Sequence, residues 1–271
     1  MTIENLLQRF EHTLPGRVIE GLLRINIVER ALALSSKMFV VILPLTILTG
    51  ALVRGESFGD QLVDRFGLTG SGATAAKTLF ESPDAVRAGA SVFGVGFIVF
   101  GALSLAKGLE RVYLDAWQLP ATDGSILRRL GWITSVVGFL AIADPIRDAL
   151  DRAGLRVAES VVSLTLATCL WLWTPYLLMA QRLPWQRLVP TGLLTALATA
   201  ALGIASLVYM PTVVTTNAVR YGLIGVAFSL VSWLFAYCCA VIGAVVLGAV
   251  LAGRTPFGEE DVASARAEAP V

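Results

Sequence analysis

The sequence predicts an all-α integral membrane protein, a bundle of six transmembrane helices preceded by an N-terminal amphipathic helix. Two observations support this prediction. The 271 residues are 56% hydrophobic with a mean hydropathy of +0.74, which is more apolar than soluble domains are. The stretch 221–253 contains no charged residue, and it is longer than the roughly 20 apolar residues that a membrane-spanning helix requires.

The elements follow from the order of apolar and charged residues. Residues 1–30 mix the two at helical spacing, which predicts a cytoplasmic amphipathic helix on the membrane surface or on the bundle. Residues 31–253 form the predicted transmembrane domain, and residues 254–271 are predicted to be a disordered cytoplasmic tail. The predicted spans are about 31–53, 88–106, 130–143, 160–180, 188–209 and 222–252.

The basic residues predict the orientation of these spans. Cytoplasmic loops of membrane proteins carry an excess of Lys and Arg. With the N-terminus inside, most of the 21 Lys and Arg residues fall on the cytoplasmic side of the six-span arrangement. We therefore expect a multi-pass protein of the bacterial plasma membrane, the inner membrane, with its N- and C-termini in the cytoplasm.

Small side chains recur at every fourth position of the last span, which gives the helix a stripe that another backbone can approach closely. This pattern predicts a helix-packing surface inside the bundle. The residues of the stripe are Ser232, Ala236, Ala240, Ala244, Gly248 and Ala252.

The third span is short, since residues 130–143 cover only about 21 Å of a hydrocarbon core about 30 Å thick. The pair Asp144 and Pro145 resembles a helix start and predicts a break in the helix there. The new helix is either a solvated segment on the outer surface or the wall of a polar cavity. The candidate polar residues of that cavity are Asp144, Arg147, Asp148, Asn217 and Arg220.

Charged residues also flank the first two spans. Lys37 lies within the first span, where its ammonium either extends to the inner headgroups or faces the bundle interior, toward Glu110 or an anionic lipid head. Beyond the second span, Lys107 and Glu110 are three residues apart, and Arg111 and Asp115 are four apart. This spacing predicts ion pairs within one helix.

Composition and motifs exclude several classes of function. A net charge of +1 provides no concentrated basic face for nucleic acid. The three cysteines lie in apolar spans, so neither a disulfide nor a metal site is predicted, and no cofactor is expected. The segment GLTGSGATAAKT has Ser71 and Ala76 at the two positions where a phosphate-binding loop requires glycine. The single histidine, His12, cannot supply the ligand set of metal-dependent phosphodiester cleavage.

The chain contains, in this order, ALALSSKMFVVILPL, GLERVYLDAWQLP and YGLIGVAFSLVSWLF. These stretches resemble the first-span, post-span and last-helix motifs of the YihY/BrkB family of bacterial inner-membrane proteins. The resemblance covers roughly residues 25–253. It implies a six-helix membrane fold with both ends in the cytoplasm, links to envelope integrity and serum resistance in some members, and an old ribonuclease BN label that the residues above do not support.

The chain departs from the family pattern at two places. The family commonly has a pair of tyrosines in the first span, where this chain has Ser36 and Lys37. The family commonly has an acidic residue near the end of the last span, where this chain has Val246. Any role of those family side chains cannot be transferred to this chain.

Two functional hypotheses remain ahead of a membrane enzyme, for which no constellation of residues is found. The first is a transporter or lipid-handling protein of the cell envelope, favoured by proline-interrupted spans and polar residues at membrane depth. The alternative is a non-catalytic structural or partner-binding protein of envelope integrity, favoured by the small-residue faces. The expected partners are membrane lipids, a second copy of the chain or an envelope protein, and no nucleic acid.

Overall fold

The computed structural model describes residues 13–52, 60, 63–64, 68–80, 92–120 and 125–252. Every regular element in this part of the chain is a helix, in agreement with the predicted all-α class. The helices are α1 (Leu14–Ile25), α2 (Ile27–Leu52), α3 (Gly70–Phe80), α4 (Val92–Ala116), α5 (Ile126–Arg152), α6 (Arg156–Leu178) and α7 (Trp185–Leu251). Residues 1–12, the start of the predicted second span and the predicted tail 254–271 lie outside the described residues.

Three of the described helices are long and apolar enough to cross a membrane, namely Ile126–Arg147, Val157–Leu178 and Trp185–Leu251. Their apolar side chains need a non-aqueous surrounding, because a helix that is hydrophobic all round is stable only in a protein core or in lipid. Helices of this length and apolarity are typical of a membrane protein.

The longest helix, α7, folds back on itself at Gly222, whose backbone angles (φ 61°, ψ −141°) are not helical. Glycine adopts this conformation because it has no Cβ. A Cβ added at Gly248 would lie 2.5 Å from the Cα of Thr191, so the two ends of the helix are in backbone contact. The segments 185–221 and 223–251, here the first and second arms, therefore form an antiparallel hairpin.

This hairpin corrects the predicted boundaries of the last two spans. Residues 210–221, expected to be a loop, continue the first arm as a helix. Near the turn, the arms share a small core that contains Met210, Val214 and Val226. Asn217 Nδ2 also donates a hydrogen bond to Ser229 Oγ across the turn, at 2.8 Å. These contacts stabilise helical backbone in a segment whose composition resembles a loop.

The second correction concerns α5, which continues through Pro145 to Arg152. The predicted break at Asp144 is therefore wrong. A proline inside a helix removes one backbone hydrogen bond and bends the helix, and membrane helices tolerate this because neighbouring groups satisfy the freed carbonyl. With Ile126–Arg147 apolar enough to span, α5 is long enough to cross a membrane.

The hairpin of α7 is the centre of the bundle, since α1, α2, α3, α4 and α6 all pack on it. Helix α5 packs instead on α6 and α4. Two indole hydrogen bonds hold α5 and α6 antiparallel: Trp132 Nε1 donates to Thr174 Oγ1 at 3.2 Å, and Trp173 Nε1 donates to Ser135 Oγ at 3.1 Å.

Contacts between elements define two ends of the bundle. Gly21 of α1 lies against Val246 near the end of α7, and Arg182 Nη1 after α6 donates to the carbonyl of Pro120 after α4 at 2.9 Å. We call this the α1 end. The opposite end contains the turn at Gly222 and helix α3, whose Gly72 lies against Thr215 of the first arm.

Candidate functional site at the α1 end

A buried ion cluster connects α4 to α5 at the α1 end. Glu110, with 3% of its side chain exposed, accepts from Arg128 Nη2 at 2.6 Å and from Arg129 Nε at 2.9 Å. Burial strengthens the attraction between these charges, because the surrounding dielectric is low. Glu110 therefore pairs with two arginines of α5, and Lys37 is not its partner.

A second, more exposed ion pair connects α4 to α2. Arg30 Nη2 donates to Asp115 Oδ2 at 2.6 Å, with 36% and 40% of the two side chains exposed. Spacing predicted that Glu110 and Asp115 would pair with basic residues of α4. Both acids instead bind arginines of other helices. The intrahelical pairs expected for Lys107 and Arg111 do not form.

This exchange of partners leaves three basic side chains close together, Lys37, Lys107 and Arg111, which we call the cationic cluster. Among the residues that the structure describes, none of the three has a carboxylate partner within ion-pair distance. Arg111 and Lys107 are near enough for their positive charges to repel the ammonium of Lys37, and Arg30 adds to this effect. Lys107 and Arg111 are exposed, and Lys37 is half-buried.

The position of Lys37 follows from the close packing of α2 on α4. A Cβ at Gly108 would lie 2.9 Å from Leu34 Cδ2 and 3.2 Å from Lys37 Nζ, and one at Gly101 would lie 2.7 Å from Val41 Cγ2. The two glycines let the helices approach closely. The Lys37 ammonium therefore lies against the backbone of α4 beside Lys107.

The other candidate polar residues have separate surroundings. Arg147 Nε donates to Ser163 Oγ of α6 at 3.2 Å, whereas Asn217 bonds to Ser229 within the α7 hairpin. Arg220 is exposed near the turn of that hairpin. Asp144 and Asp148 lie on α5, but their side chains are outside the described part. The structure does not bring Arg147 together with Asn217 in one site.

The small-residue stripe of the second arm becomes more buried toward the α1 end. Ser232 is exposed, Ala236, Ala240 and Ala252 are half-buried, and Ala244 and Gly248 are buried. Gly248 lies directly against Thr191 of the first arm. Val246 is buried against Gly21 of α1.

The arrangement at the α1 end can bind an anion. Lys and Arg side chains that lie close together repel one another, and an anion placed among them removes that repulsion and accepts their hydrogen bonds. Of these three cations, Lys37 is a candidate from the sequence, whereas Lys107 and Arg111 are not. They become candidates only because Glu110 and Asp115 pair with arginines of other helices. That pairing depends on the arrangement of the helices.

Comparisons of the chain with protein-family models, with curated proteins and with solved structures give no match.

Proposed function

We propose that this chain is a lipid-handling protein of the bacterial inner membrane, and that its cationic cluster holds the headgroup of an anionic lipid. The observation that supports this proposal is the position of Lys37, half-buried between α2 and α4 beside two further cations and with no carboxylate partner in the described part. Each basic residue near an anionic leaflet contributes about 1 kcal/mol to binding.

In this proposal the chain crosses the membrane six times, through α2, α4, α5, α6 and the two arms of α7. The basic residues support a cytoplasmic location for the α1 end, because Arg30, Arg128 and Arg129 lie there with the cationic cluster. The cluster then lies at the inner leaflet, where anionic headgroups are accessible. The ammonium of Lys37 reaches the headgroup layer along its own alkyl stem.

Helix α1 lies on the inner membrane surface in the same arrangement. It presents Gly16, Gly21 and Ile25 to the bundle and leaves Leu14, Ile19 and Leu23 exposed. Leu23 has 73% of its surface exposed. Exposure of this side chain to water is unfavourable, whereas its insertion at the acyl boundary of a leaflet is favourable. The resemblance to the YihY/BrkB family supports the same topology, with both termini in the cytoplasm.

The alternative function is a structural or partner-binding role in the envelope. The observation that favours it is the dense packing of the core, with backbone contact between Gly248 and Thr191 and between Gly192 and Leu172. A rigid bundle of this kind needs no internal path for a substrate. Transport through an interior cavity is less well supported, because Arg147 and Asn217 have separate partners.

Lipid analysis of a strain that lacks the gene tests the proposed function. We expect the ratio of anionic to zwitterionic phospholipids to change on deletion, and to return to normal with the wild-type chain or with the control Arg187→Met, an exposed cation at the same end. The Lys37→Met chain should not restore the ratio. An unchanged lipid composition in the deletion strain, or full rescue by Lys37→Met, would contradict lipid handling and favour the structural role.

A further inference from the structure

A second polar site lies at the α1 end, in a cleft of about 590 Å³ between α1, the start of α2 and the end of α4. Its polar lining consists of Arg24, Arg30, Asp115 and Gln118, and Leu114 and Leu119 contribute apolar surface. We call it the arginine cleft. Its volume is within the range of about 300–1,000 Å³ that is typical of small-molecule sites.

The charges of the arginine cleft favour an anionic ligand. Two guanidinium groups and one carboxylate leave one positive charge in excess. Arg30 donates one hydrogen bond to Asp115, which leaves most of the five N–H donors of its guanidinium for a ligand. The Arg30 and Asp115 side chains are partly exposed, so the cleft can be entered from solvent.

Gln118 occupies an unfavourable backbone position beside these charges. Its φ is 53°, in the left-handed region where a helix ordinarily ends on glycine, and a non-glycine residue there costs roughly 1 kcal/mol. With its amide oxygen directed to Arg24, the side chain accepts from that guanidinium. Gln118 thus holds Arg24 at the boundary between the cleft and a smaller cavity of about 150 Å³ under α1.

We propose that the arginine cleft binds a phosphate monoester carried on an apolar body. Arg24 and Arg30 contact the phosphate, whose charge of about −1.5 to −2 matches two guanidinium forks, and Leu114 and Leu119 contact the apolar part. The ligand is either a soluble phosphate ester or the headgroup of a phosphatidic acid. This site is distinct from the cationic cluster, because Lys37, Lys107 and Arg111 are not among its lining residues.

Calorimetry on the full chain, purified in phosphate-free detergent, tests the proposal with two probes, hexyl phosphate and dihexanoyl phosphatidic acid. The wild-type chain should bind at least one of them. Equal binding of both indicates a soluble phosphate ester, and binding of the acylated probe alone indicates a lipid headgroup. Binding of neither probe overturns the proposal.

Three variants locate the probe in the cleft. Arg24→Gln should weaken binding about tenfold, because a hydrogen bond between charged groups is lost. Asp115→Asn should strengthen it about threefold, because a repelling carboxylate is removed. The control Arg187→Gln should bind as the wild type does. Unchanged binding by Arg24→Gln, or a loss with Lys37→Met as large as that with Arg24→Gln, would overturn the assignment.

Discussion

Two acids of α4 show how burial determines the contribution of an ion pair to stability. Glu110 is nearly inaccessible between Arg128 and Arg129, whereas Asp115 shares an exposed pair with Arg30. A partner removed from a buried pair leaves uncompensated charge in a low dielectric, while exposed pairs contribute little to stability. The two positions therefore form a matched comparison on one helix.

We predict that Glu110→Gln destabilises the protein by about 3 kcal/mol, since two mostly buried arginine side chains remain without their carboxylate. Asp115→Asn is the control and should cost no more than about 1 kcal/mol. The apparent melting temperature of each variant in detergent measures the difference. Equal melting temperatures would show that Glu110 is accessible to water.

A second prediction at the scale of single residues concerns the contact between the arms of α7. Gly248→Ala places a methyl group against the backbone of Thr191 and should cost about 1–3 kcal/mol, because the backbones must separate.

Gly243→Ala is the control for this contact, since a Cβ there would meet no atom within 4 Å. It should be neutral or slightly stabilising, because alanine favours helix more than glycine does. Thermal melting in detergent distinguishes the two. A Gly248→Ala chain as stable as Gly243→Ala would show that the arms are further apart than described.

The ion-pair partners of individual charged residues were the feature least predictable from the sequence. Spacing rules describe isolated helices, and they paired Lys107 with Glu110 and Arg111 with Asp115. In the bundle, arginines of α2 and α5 contact the same acids from other helices. The rotation of a helix about its axis is determined by packing, so these pairs and the freed cations could not be derived from spacing.

At the scale of elements, apolar runs predicted where helices occur but not how they end. The stretch 130–143 was expected to stop at Asp144, yet α5 continues to Arg152. The segment 210–221 was expected to be a loop, yet it is helical because it packs on the second arm. The second of these misplacements arises from tertiary contacts that override local composition.

The turn of the α7 hairpin depends on one glycine. We predict that Gly222→Ala destabilises the fold by about 1–3 kcal/mol, because φ 61° with ψ −141° is accessible almost only to glycine. Gly203→Ala on the same helix, where a Cβ meets nothing within 4 Å, is the control. Its melting temperature should equal or exceed that of the wild type. If Gly222→Ala melts like Gly203→Ala, the turn has another conformation.

At the scale of the whole molecule, most of the Lys and Arg side chains of the described helices lie at the α1 end. Asymmetry of this kind orients membrane proteins during insertion. The proposed topology therefore makes a prediction at the connections. The turn after α5 lies at the end away from α1, and the turn after α6 lies at the α1 end.

We predict that a reporter active only outside the cytoplasm is active when fused after Ala153 and inactive when fused after Leu183. The two fusions control for each other, because both end in turns between helices. The opposite pattern would invert the orientation. Equal activity at both sites would contradict a membrane crossing by α6.

The central claim is that Lys37, Lys107 and Arg111 together hold an anionic headgroup, and the most direct measurement is native mass spectrometry of the purified chain. We expect the wild type and Arg187→Gln to retain an anionic phospholipid in preference to a zwitterionic one. Lys37→Met and the double variant Lys107→Gln/Arg111→Gln should lose that preference while they melt near the wild-type temperature. Equal retention of anionic lipid by all four proteins would contradict the claim.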